Sequence, residues 1–356
     1  MKSKLIRTLA GTALALTAIT AIPAVPAEIS AIEPFDHSQL PTVPEPEVFV
    51  DGDNEYSKYP EEDFIRYSRY TGEAKILEIP AEFNGLPVKV LEGYSLKGCP
   101  WLEEVILPDT MVRIGENVLV RSYEFKYIAF PKNLETLDAF AFTQCPFLEH
   151  VKMNRNLKYI GEYAFQLCNT IKAMNFPGSV EKIPNNIFQN MRDLTTVRFM
   201  EGTKEISFEA GLNAINLKDV VIPPSVTKID HNAFGYNMVN SEYIRSGDVR
   251  IFGTPGSEAE RYAKANDVPF VEFDYAYGDV NSDGIVDAGD ATDVLNEYAV
   301  QSTGNKSNFT RAQYLKCEIN ENNIIDANDA STVLSYYAYS SSGGTDSPAE
   351  FFFFGK

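Results

Sequence analysis

Apolar residues recur along the middle of the chain with a strict period of 23 residues. One aliphatic series advances by 23 at every step: Leu91, Ile114, Leu137, Ile160, Ile183, Ile206 and Ile229. A second series with this period comprises Val105, Ile128, Val151, Met174, Val197 and Val220; a third comprises Leu96, Leu119, Phe142, Phe165, Phe188 and Phe234, with Gly211 as its one lapse. One such turn cannot bury its own apolar face, so neighbouring turns must stack and share a core. The pattern therefore predicts a solenoid.

Each turn also predicts one strand, in which apolar and polar residues alternate. Pairs such as Val151 with Met153 should point to the core, and period-two alternation sends the interleaved residues outward. Eight outward positions form the candidate ligand face: Glu104, Tyr127, His150, Lys152, Asn175, Thr196, Arg198 and Asp219. Solenoids bind along an extended face. Because this face has no aromatic rows suited to stacking on sugars, we expect a protein ligand rather than a glycan, with a merely solvated face as the alternative.

A period of 20–29 residues with aliphatics at fixed places is that of leucine-rich repeats. The sequence of residues 157–168, LKYIGEYAFQLC, resembles the repeats of the bacterial surface protein family called BspA-like. The resemblance covers about residues 70–273, within a predicted repeat domain at 63–273 that includes its caps. An N-terminal capping turn is expected around 76–90, and residues 249–264 look like the family's closing cap, a strand followed by a short polar-faced helix.

Near the C-terminus the chain carries the same loop-plus-helix pattern twice, 39 residues apart. Loop positions 1, 3, 5, 9 and 12 carry oxygen side chains and position 7 offers a backbone carbonyl, which is the EF-hand ligand set for calcium. The candidate ligands of loop one are Asp279, Asn281, Asp283, Ile285, Asp287 and Asp290; those of loop two are Glu318, Asn320, Asn322, Ile324, Asp326 and Asp329. Position 12 is Asp, where the general motif has Glu. No helical pattern precedes loop one, so each unit is a loop followed by one helix.

This duplicated arrangement, at residues 275–340, resembles a type I dockerin, the module by which proteins of anaerobic polysaccharide-degrading bacteria bind cohesin domains of a scaffold. The resemblance implies that a cohesin is contacted through loop positions 10 and 11 and the following helix. The matching residues here are Ala288, Gly289, Leu295, Asn296, Ala327, Asn328, Leu334 and Ser335. The near-identical helices suggest binding in two orientations related by a half-turn. The alternative for both leucines is that they belong to the core of the helix pair.

The two loops are unequal. Loop one has four carboxylates and Gly284 at its sharp turn, whereas loop two has three carboxylates, the longer Glu318 at position 1 and Asn323 in place of glycine. Asn tolerates a left-handed backbone better than most residues, so loop two can still close. Calcium affinity follows ligand charge and site rigidity. We therefore expect two Ca2+ sites, the second weaker, and a larger loss of calcium affinity and stability from Asp279→Ala than from Glu318→Ala.

The remaining segments place the protein outside the cell. Residues 1–27 have the basic start, apolar stretch and small-residue cleavage site of a signal peptide, and no other stretch is long enough to span a bilayer. Residues 28–62, rich in proline and acids, are predicted to be an extended linker. Residues 341–356 form a tail ending in Phe351–Phe354, for which the pattern suggests no function.

Cysteine content and charge narrow the function. Cys145 and Cys168 occupy the same register one period apart, so a disulfide is geometrically possible, but a small buried slot is the better interpretation, since free Cys is among the most buried residue types. With 31 basic and 50 acidic residues, a nucleic-acid partner is not expected.

These features predict an α+β protein: a leucine-rich-repeat solenoid with short strands and turns, followed by a small all-α dockerin with paired calcium loops. We expect a secreted, non-catalytic binding protein that attaches to the cell surface through a scaffold cohesin and presents its solenoid to a protein ligand. Two alternatives stay open, an architectural spacer and a polysaccharide-degrading enzyme. The enzyme is disfavoured because the three histidines have no motif spacing and the solenoid occupies the length that a catalytic domain needs.

Overall fold

The computed structural model describes residues 44–246 and 248–355. The expected signal peptide and the first part of the expected linker lie outside these residues. The N-terminal end of the solenoid is built by strands of mixed direction: β1 (Glu47–Asp51), β2 (Asn54–Lys58), β3 (Ile65–Tyr70), β4 (Ile76–Glu78), β5 (Glu82–Phe83) and β6 (Leu86–Leu91). β1, β2 and β3 pair antiparallel, and β3 then pairs parallel with β6.

The expected linker at 28–62 is therefore wrong for its described part. β1 and β2 lie inside it, and the Tyr56 side chain is buried with its ring stacked 4.0 Å from that of Phe83. Val48, Phe49, Val50 and Tyr56 are β-branched or aromatic residues, which favour strands, but the proline and acid content of the segment obscured this signal. The hairpin pairs with the first turn and covers the N-terminal end of the stack, as an open solenoid requires.

The body of the solenoid has two rows of parallel strands. The first row consists of β4, β7 (Glu104–Ile106), β9 (Tyr127–Ala129), β11 (His150–Lys152), β13 (Ala173–Phe176), β15 (Thr196–Phe199) and β17 (Asp219–Val221). The second row consists of β6, β8 (Arg113–Ile114), β10 (Thr136–Leu137), β12 (Tyr159–Ile160), β14 (Lys182–Ile183), β16 (Glu205–Ile206) and β18 (Lys228–Ile229). Paired residues such as Tyr127 with His150, or Thr136 with Tyr159, differ by the predicted 23 positions.

The repeating phenylalanines form a ladder through the core. The rings of Phe142 and Phe165, one period apart, are stacked with centroids 5.6 Å apart. At Gly211 a Cβ would lie 2.9 Å from the Phe188 ring and 3.3 Å from the Phe234 ring. The lapse in the apolar series is therefore a packing requirement, because the neighbouring rings fill the space that a side chain would need.

Left-handed backbone recurs with the same period, a feature that the apolar pattern did not reveal. Besides a left-handed series at Arg121, Gln144, Leu167, Asn190 and Asn213, one position in every turn from residue 94 to residue 232 has φ between 55° and 61°: Tyr94, Asn117, Phe140, Tyr163, Asn186, Glu209 and Asn232. Asn adopts this conformation more readily than most residues, and it fills three of these positions. The bulky residues at the others, such as Phe140 stacked 4.9 Å from Tyr163, are held there by contact with the adjacent turn.

The C-terminal end of the stack departs from the strict period. An antiparallel hairpin, β19 (Tyr236–Val239) and β20 (Glu242–Arg245), is inserted before β21 (Arg250–Gly253), which pairs parallel with β17. Helix α1 (Glu258–Ala265) and strand β22 (Phe270–Glu272) follow. Ala259, Tyr262 and Ala263 of α1 are buried and its first turn is acidic. The predicted closing cap of strand and polar-faced helix is present.

A helical module follows the cap: α2 (Ala288–Ser302), α3 (Arg311–Cys317), α4 (Ala327–Ser341) and α5 (Pro348–Phe354). Helices α2 and α4 pack against each other. Thr310 and Gln313 form a capping box at the start of α3. Helix α5 lies in the predicted tail and begins with its own capping box, Ser347 with Glu350. The tail is thus an element of the fold.

Candidate functional site

In loop one of the helical module, side chains at the predicted ligand positions accept hydrogen bonds from the backbone of the same loop. The two carboxylate oxygens of Asp279 accept hydrogen bonds from the backbone N–H groups of Asp283 and Gly284, each at 3.1 Å. Asn281 accepts from Asp283 N–H at 2.8 Å. Gly284 has φ +89° and nothing within 4 Å of the place of a Cβ. The glycine is therefore required by the left-handed turn and not by a neighbouring atom.

Positions 9 and 12 of each loop start the following helix. Asp287 caps α2 and forms a capping box with Asp290, and Asp326 does the same with Asp329 at the start of α4. A spacing of three residues between cap and partner is what the box needs. Asp290 is fully buried and accepts N–H from Val280 at 2.8 Å, while Asp329 is fully buried and accepts N–H from Ile319 at 2.9 Å. The two units are thus equivalent here.

The donor set of loop one fits a hard cation. Each carboxylate there makes only one to three hydrogen bonds to backbone or amide N–H groups, and a carboxylate has about four acceptor sites, so capacity remains for a metal ion. Within the described residues, no group of three or more His, Cys, Asp or Glu side chains lies close enough together to hold a metal ion. Calcium would have to pull the loop side chains inward, which links binding to the order of the loop.

Loop two keeps the backbone course of loop one but engages the solenoid. Asn323, at the position of the turn glycine, has φ +62°, as its tolerance of left-handed backbone predicts. One Glu318 carboxylate oxygen accepts the Asn323 N–H at 2.9 Å, and the other lies 3.2 Å from the Arg198 guanidinium. Both charged side chains have no solvent exposure. Loop two therefore lies against the first row of strands.

Burial changes the acidity of two carboxyl groups in loop two. It raises the pKa of Asp329 to about 6, and the hydrogen bonds from the backbone N–H groups of Ile319, Asp326 and Asn320 oppose this shift. Burial also raises the pKa of Glu321 to about 7, with the positive charge of Arg198 acting in the opposite direction. Glu321 accepts a hydrogen bond from the Asn175 amide. Asp329 is fully buried, whereas Glu321 is half-buried against the solenoid.

Half of the predicted ligand face is covered by the module. Asn175, Thr196, Arg198 and Asp219 are buried, whereas Tyr127, His150 and Lys152 are exposed and Glu104 is half-buried. The eight residues do share one face of the first row, as the alternation predicts. The C-terminal module occupies the part of that face from β13 to β17, and the part from β4 to β11 is open.

Charge pairs fix the covered part of the face. The Asp219 carboxylate, with no solvent exposure, accepts from Arg311 Nε at 2.7 Å and pairs with Arg250 at 2.8 Å. Arg155 binds Asp346 through two nitrogens, at 2.9 and 3.0 Å. Paired in this bidentate geometry, an Arg and a carboxylate bind more strongly and more specifically than neutral partners. Sequence spacing gave no signal for these pairs, because their partners lie 31 to 191 positions apart.

The phenylalanine tail fills the junction between module and solenoid. The Phe353 ring is buried, lies 5.3 Å below the Arg198 guanidinium and meets the Tyr277 ring edge-to-face at 5.2 Å. The neighbouring rings of Phe351 and Phe352 contact Tyr336 of α4. Helix α5 therefore contacts Tyr277 at the beginning of the module, Tyr336 of α4 and Arg198 of the solenoid.

The residues that the dockerin resemblance implies for cohesin contact are all on the surface. Ala288, Gly289, Leu295 and Asn296 in the first unit are exposed, as are Ala327, Asn328, Leu334 and Ser335 in the second. Leu295 is 44% and Leu334 is 42% exposed, so neither leucine belongs to the core of the helix pair. Tyr298 and Tyr337, one turn further on, are exposed as a second equivalent pair.

All four cysteines are free and buried. The Cys145 thiol donates to the Leu119 carbonyl at 3.1 Å, and the Cys168 thiol donates to the Phe142 carbonyl at 3.1 Å. Burial raises the pKa of Cys145 to about 12 and that of Cys168 well above its usual value. The buried-slot interpretation is therefore correct, and the two side chains are not bonded to each other.

Comparison with known families identifies the repeats. Residues 89–213 and 120–241 match six copies of the family described as BspA type leucine rich repeat region. The matched part of the solenoid is therefore a leucine-rich repeat region. No curated protein matches the sequence significantly. No helix in the part of the chain that the structure describes combines the length and apolar character needed to cross a membrane.

Solved structures of bacterial leucine-rich repeat proteins are similar to part of the chain. A leucine-rich repeat protein of T. pallidum is 24% identical, with a TM-score of 0.47, over 51% of this chain and 86% of that one. A leucine rich cell surface protein of Faecalibacterium prausnitzii is 21% identical, with a TM-score of 0.49, over 56% of this chain and 59% of that one. A leucine-rich repeat protein of Bacteroides ovatus is 16% identical, with a TM-score of 0.37, over 58% and 70% respectively.

Proposed function

We propose that this protein is a secreted, non-catalytic binding protein whose C-terminal module attaches it to a cohesin-type domain of a surface scaffold. The observation that carries the proposal is that the two loop-helix units expose the same positions. Each unit exposes a leucine and a tyrosine, Leu295 with Tyr298 and Leu334 with Tyr337. Exposed aromatic and aliphatic anchors beside small residues suit a flat protein partner.

Calcium is the proposed cofactor of the module. Asp279, Asn281, Asp283, Asp287 and Asp290, with the carbonyl of Ile285, would hold it in loop one. When bound, the cation would neutralise carboxylates that otherwise repel one another and would fix the loop that starts α2. Because Ala288 and Gly289 stand at the end of this loop, its order decides the shape of the partner surface.

The solenoid is the proposed ligand-binding part. Its open face next to the module borders a cavity of about 680 Å³ that is lined by Tyr127, Lys152, Met153 and, from the tail, Phe354. Ligand pockets combine apolar walls with a few polar or charged groups, and this lining has that character, which supports binding at the open face. The leucine-rich repeat match supports a non-catalytic, protein-binding role over the enzyme alternative.

A second candidate function is an architectural spacer. It is favoured by the coverage of Asn175, Thr196, Arg198 and Asp219, which leaves a shorter free face than a long solenoid normally offers. Pull-down with the mature chain on host, microbial and plant-wall fractions separates the two roles. A binding role predicts capture of a protein that is lost in Tyr127→Ala with Lys152→Ala, whereas a spacer captures nothing specific.

The docking proposal is tested by measuring binding of residues 28–356 to a panel of immobilised type I cohesins, with calcium and with excess chelator. We expect binding to at least one cohesin in calcium, loss of it in chelator and strong weakening by Asp279→Ala. Asp193→Ala, which removes an exposed carboxylate of the solenoid, is the matched control and should bind normally. Binding that is equal in calcium and chelator would contradict a calcium-dependent dock.

A further inference from the structure

The two loops differ in how a basic side chain approaches position 1. Beside loop one, Lys316 Nζ donates to the Asp279 main-chain carbonyl at 3.2 Å, to the Ser282 hydroxyl at 3.2 Å and to Asp274 at 2.7 Å. These contacts bypass the Asp279 carboxylate. Its two oxygens accept backbone N–H groups from within the loop, and the side chain remains available for a cation.

At loop two the basic side chain reaches the ligand group itself. Arg198 donates through one nitrogen to the Glu318 main-chain carbonyl at 3.1 Å and to the Glu318 carboxylate at 3.2 Å. Its other terminal nitrogen donates to the Asn175 side-chain oxygen at 3.3 Å. The contact at the carbonyl is thus equivalent to that of Lys316 in loop one, and the contact at the carboxylate is additional.

Other candidate ligand side chains of loop two form hydrogen bonds with one another. The Asn320 and Asn322 amides donate to the two oxygens of Asp326 at 3.2 and 3.0 Å. The second Glu318 oxygen accepts the Asn323 N–H, so these candidate ligand side chains of loop two all hydrogen-bond within the protein.

A calcium ion at loop two would have to share Glu318 with the guanidinium of Arg198. Two cations at hydrogen-bond distance from one buried carboxylate repel each other, and screening by water is weak where both side chains have no exposure. Moving Glu318 towards calcium would leave Arg198 buried without its counter-ion, which is strongly unfavourable. The donor set of loop two therefore does not fit calcium while the module rests on the solenoid.

We propose that Arg198 serves as the built-in cation of loop two, so that the chain binds one calcium ion, in loop one, and uses loop two as a calcium-independent attachment to its own solenoid. This proposal rests on the proposed calcium function of loop one. It replaces the expectation of two sites with one metal site and one intramolecular dock, and it explains why position 1 of loop two is the longer Glu, whose carboxylate reaches Arg198.

Calcium stoichiometry of residues 28–356, measured by titration calorimetry, tests the proposal. We expect one site in the unchanged chain, one site in Glu318→Gln and none in Asp279→Asn. Two sites in the unchanged chain, one of which is lost in Glu318→Gln, would overturn the proposal and leave the calcium function of the module standing. No site in the unchanged chain would overturn the proposed calcium function instead.

A second measurement tests the Arg198–Glu318 ion pair independently of calcium binding, because it is made in excess chelator. Thermal unfolding is compared for Arg198→Met, Glu318→Gln and the double variant. We expect each single change to lower the melting temperature and the double change to lower it by clearly less than the sum, because each single change strands one buried charged or polar partner. Additive shifts would overturn the role of Arg198 as the cation of loop two, whatever the calcium stoichiometry.

Discussion

The guanidinium of Arg198 and the carboxylate of Glu318 form an ion pair of 3.2 Å in which neither side chain has solvent exposure, although 120 positions separate them in the chain. Arg198 comes from a strand of the solenoid and Glu318 from the second loop of the C-terminal module. A buried pair of this kind ties the two parts together. It also removes from the solenoid surface a residue that strand alternation places in the candidate ligand face.

The first prediction concerns the energy of this pair. Glu318→Ala should lower the free energy of unfolding in chelator by about 3–5 kcal/mol, because it leaves a buried charge uncompensated. Replacing both residues by Met should cost far less, since Arg198 Nε has no hydrogen-bond partner among the described residues and the pair is incompletely satisfied. Urea unfolding measures both.

Lys158→Met is the control for that experiment. It breaks the exposed pair with Glu135, in which the side chains are 63% and 50% exposed, and should change stability by about 0–1 kcal/mol. A loss from Glu318→Ala no larger than the loss from this control would mean that the buried pair does not hold the module.

The second prediction is that calcium orders the module but not the solenoid. Chelation should reduce the helical circular dichroism contributed by residues 279–340 and lower the first thermal transition, because ion binding supplies folding free energy to loop one. The β-rich signal and transition of the repeats should stay unchanged. Helicity and melting behaviour identical in calcium and in excess chelator would show that the loops fold without a metal.

The third prediction concerns the tail. Phe353→Ala should destabilise the junction by about 3–5 kcal/mol, the usual cost of emptying a buried phenylalanine site, since the ring packs on Arg198 and Tyr277. Phe147→Ala is the control, because that ring is 52% exposed. Limited proteolysis between solenoid and module should accelerate in the first variant only. Equal resistance of both variants to proteolysis would show that Phe353 does not stabilise the junction.

The fourth prediction concerns the thiols. Because all four cysteines are buried and the pKa of Cys145 is raised to about 12, the native protein at pH 8 should react with a thiol reagent far more slowly than a free thiol, and four thiols should appear on unfolding in urea. Mass spectrometry of the unfolded, alkylated chain should show four labels without reductant. Two labels instead of four would indicate a Cys145–Cys168 disulfide.

Much of the solenoid could be predicted from sequence because its apolar residues repeat by local rules. Leu137 and Ile160 stand one period apart and pair directly in the sheet, so the period alone gives the register. The caps were predictable only in part. The hairpin Tyr236–Arg245 interrupts the period, and the β1–β2 strands lie inside a segment whose proline and acid content predicted a linker.

The candidate site was predictable within each loop but not between domains. The predicted ligand positions of a loop lie at fixed spacing, so Asp287 and Asp290 could be singled out from the sequence. In the structure, these two residues form the capping box of α2. The pairing of Arg198 with Glu318 or of Arg155 with Asp346 has no spacing rule, since it depends on how the module rests on the solenoid. Which half of the ligand face is covered follows from that same contact, as does the role of Phe353.

The measurement that tests the account most directly is cohesin affinity of the full mature chain carrying arginine at loop position 10. Each surface is equivalent to the other, so Ala288→Arg or Ala327→Arg alone should weaken binding little, and the double variant should abolish it. Ala74→Arg, at an exposed alanine of the solenoid, is the matched control. Loss of binding in Ala288→Arg alone would show that the first helix is the sole contact, and unchanged binding in the double variant would contradict the docking function of these helices.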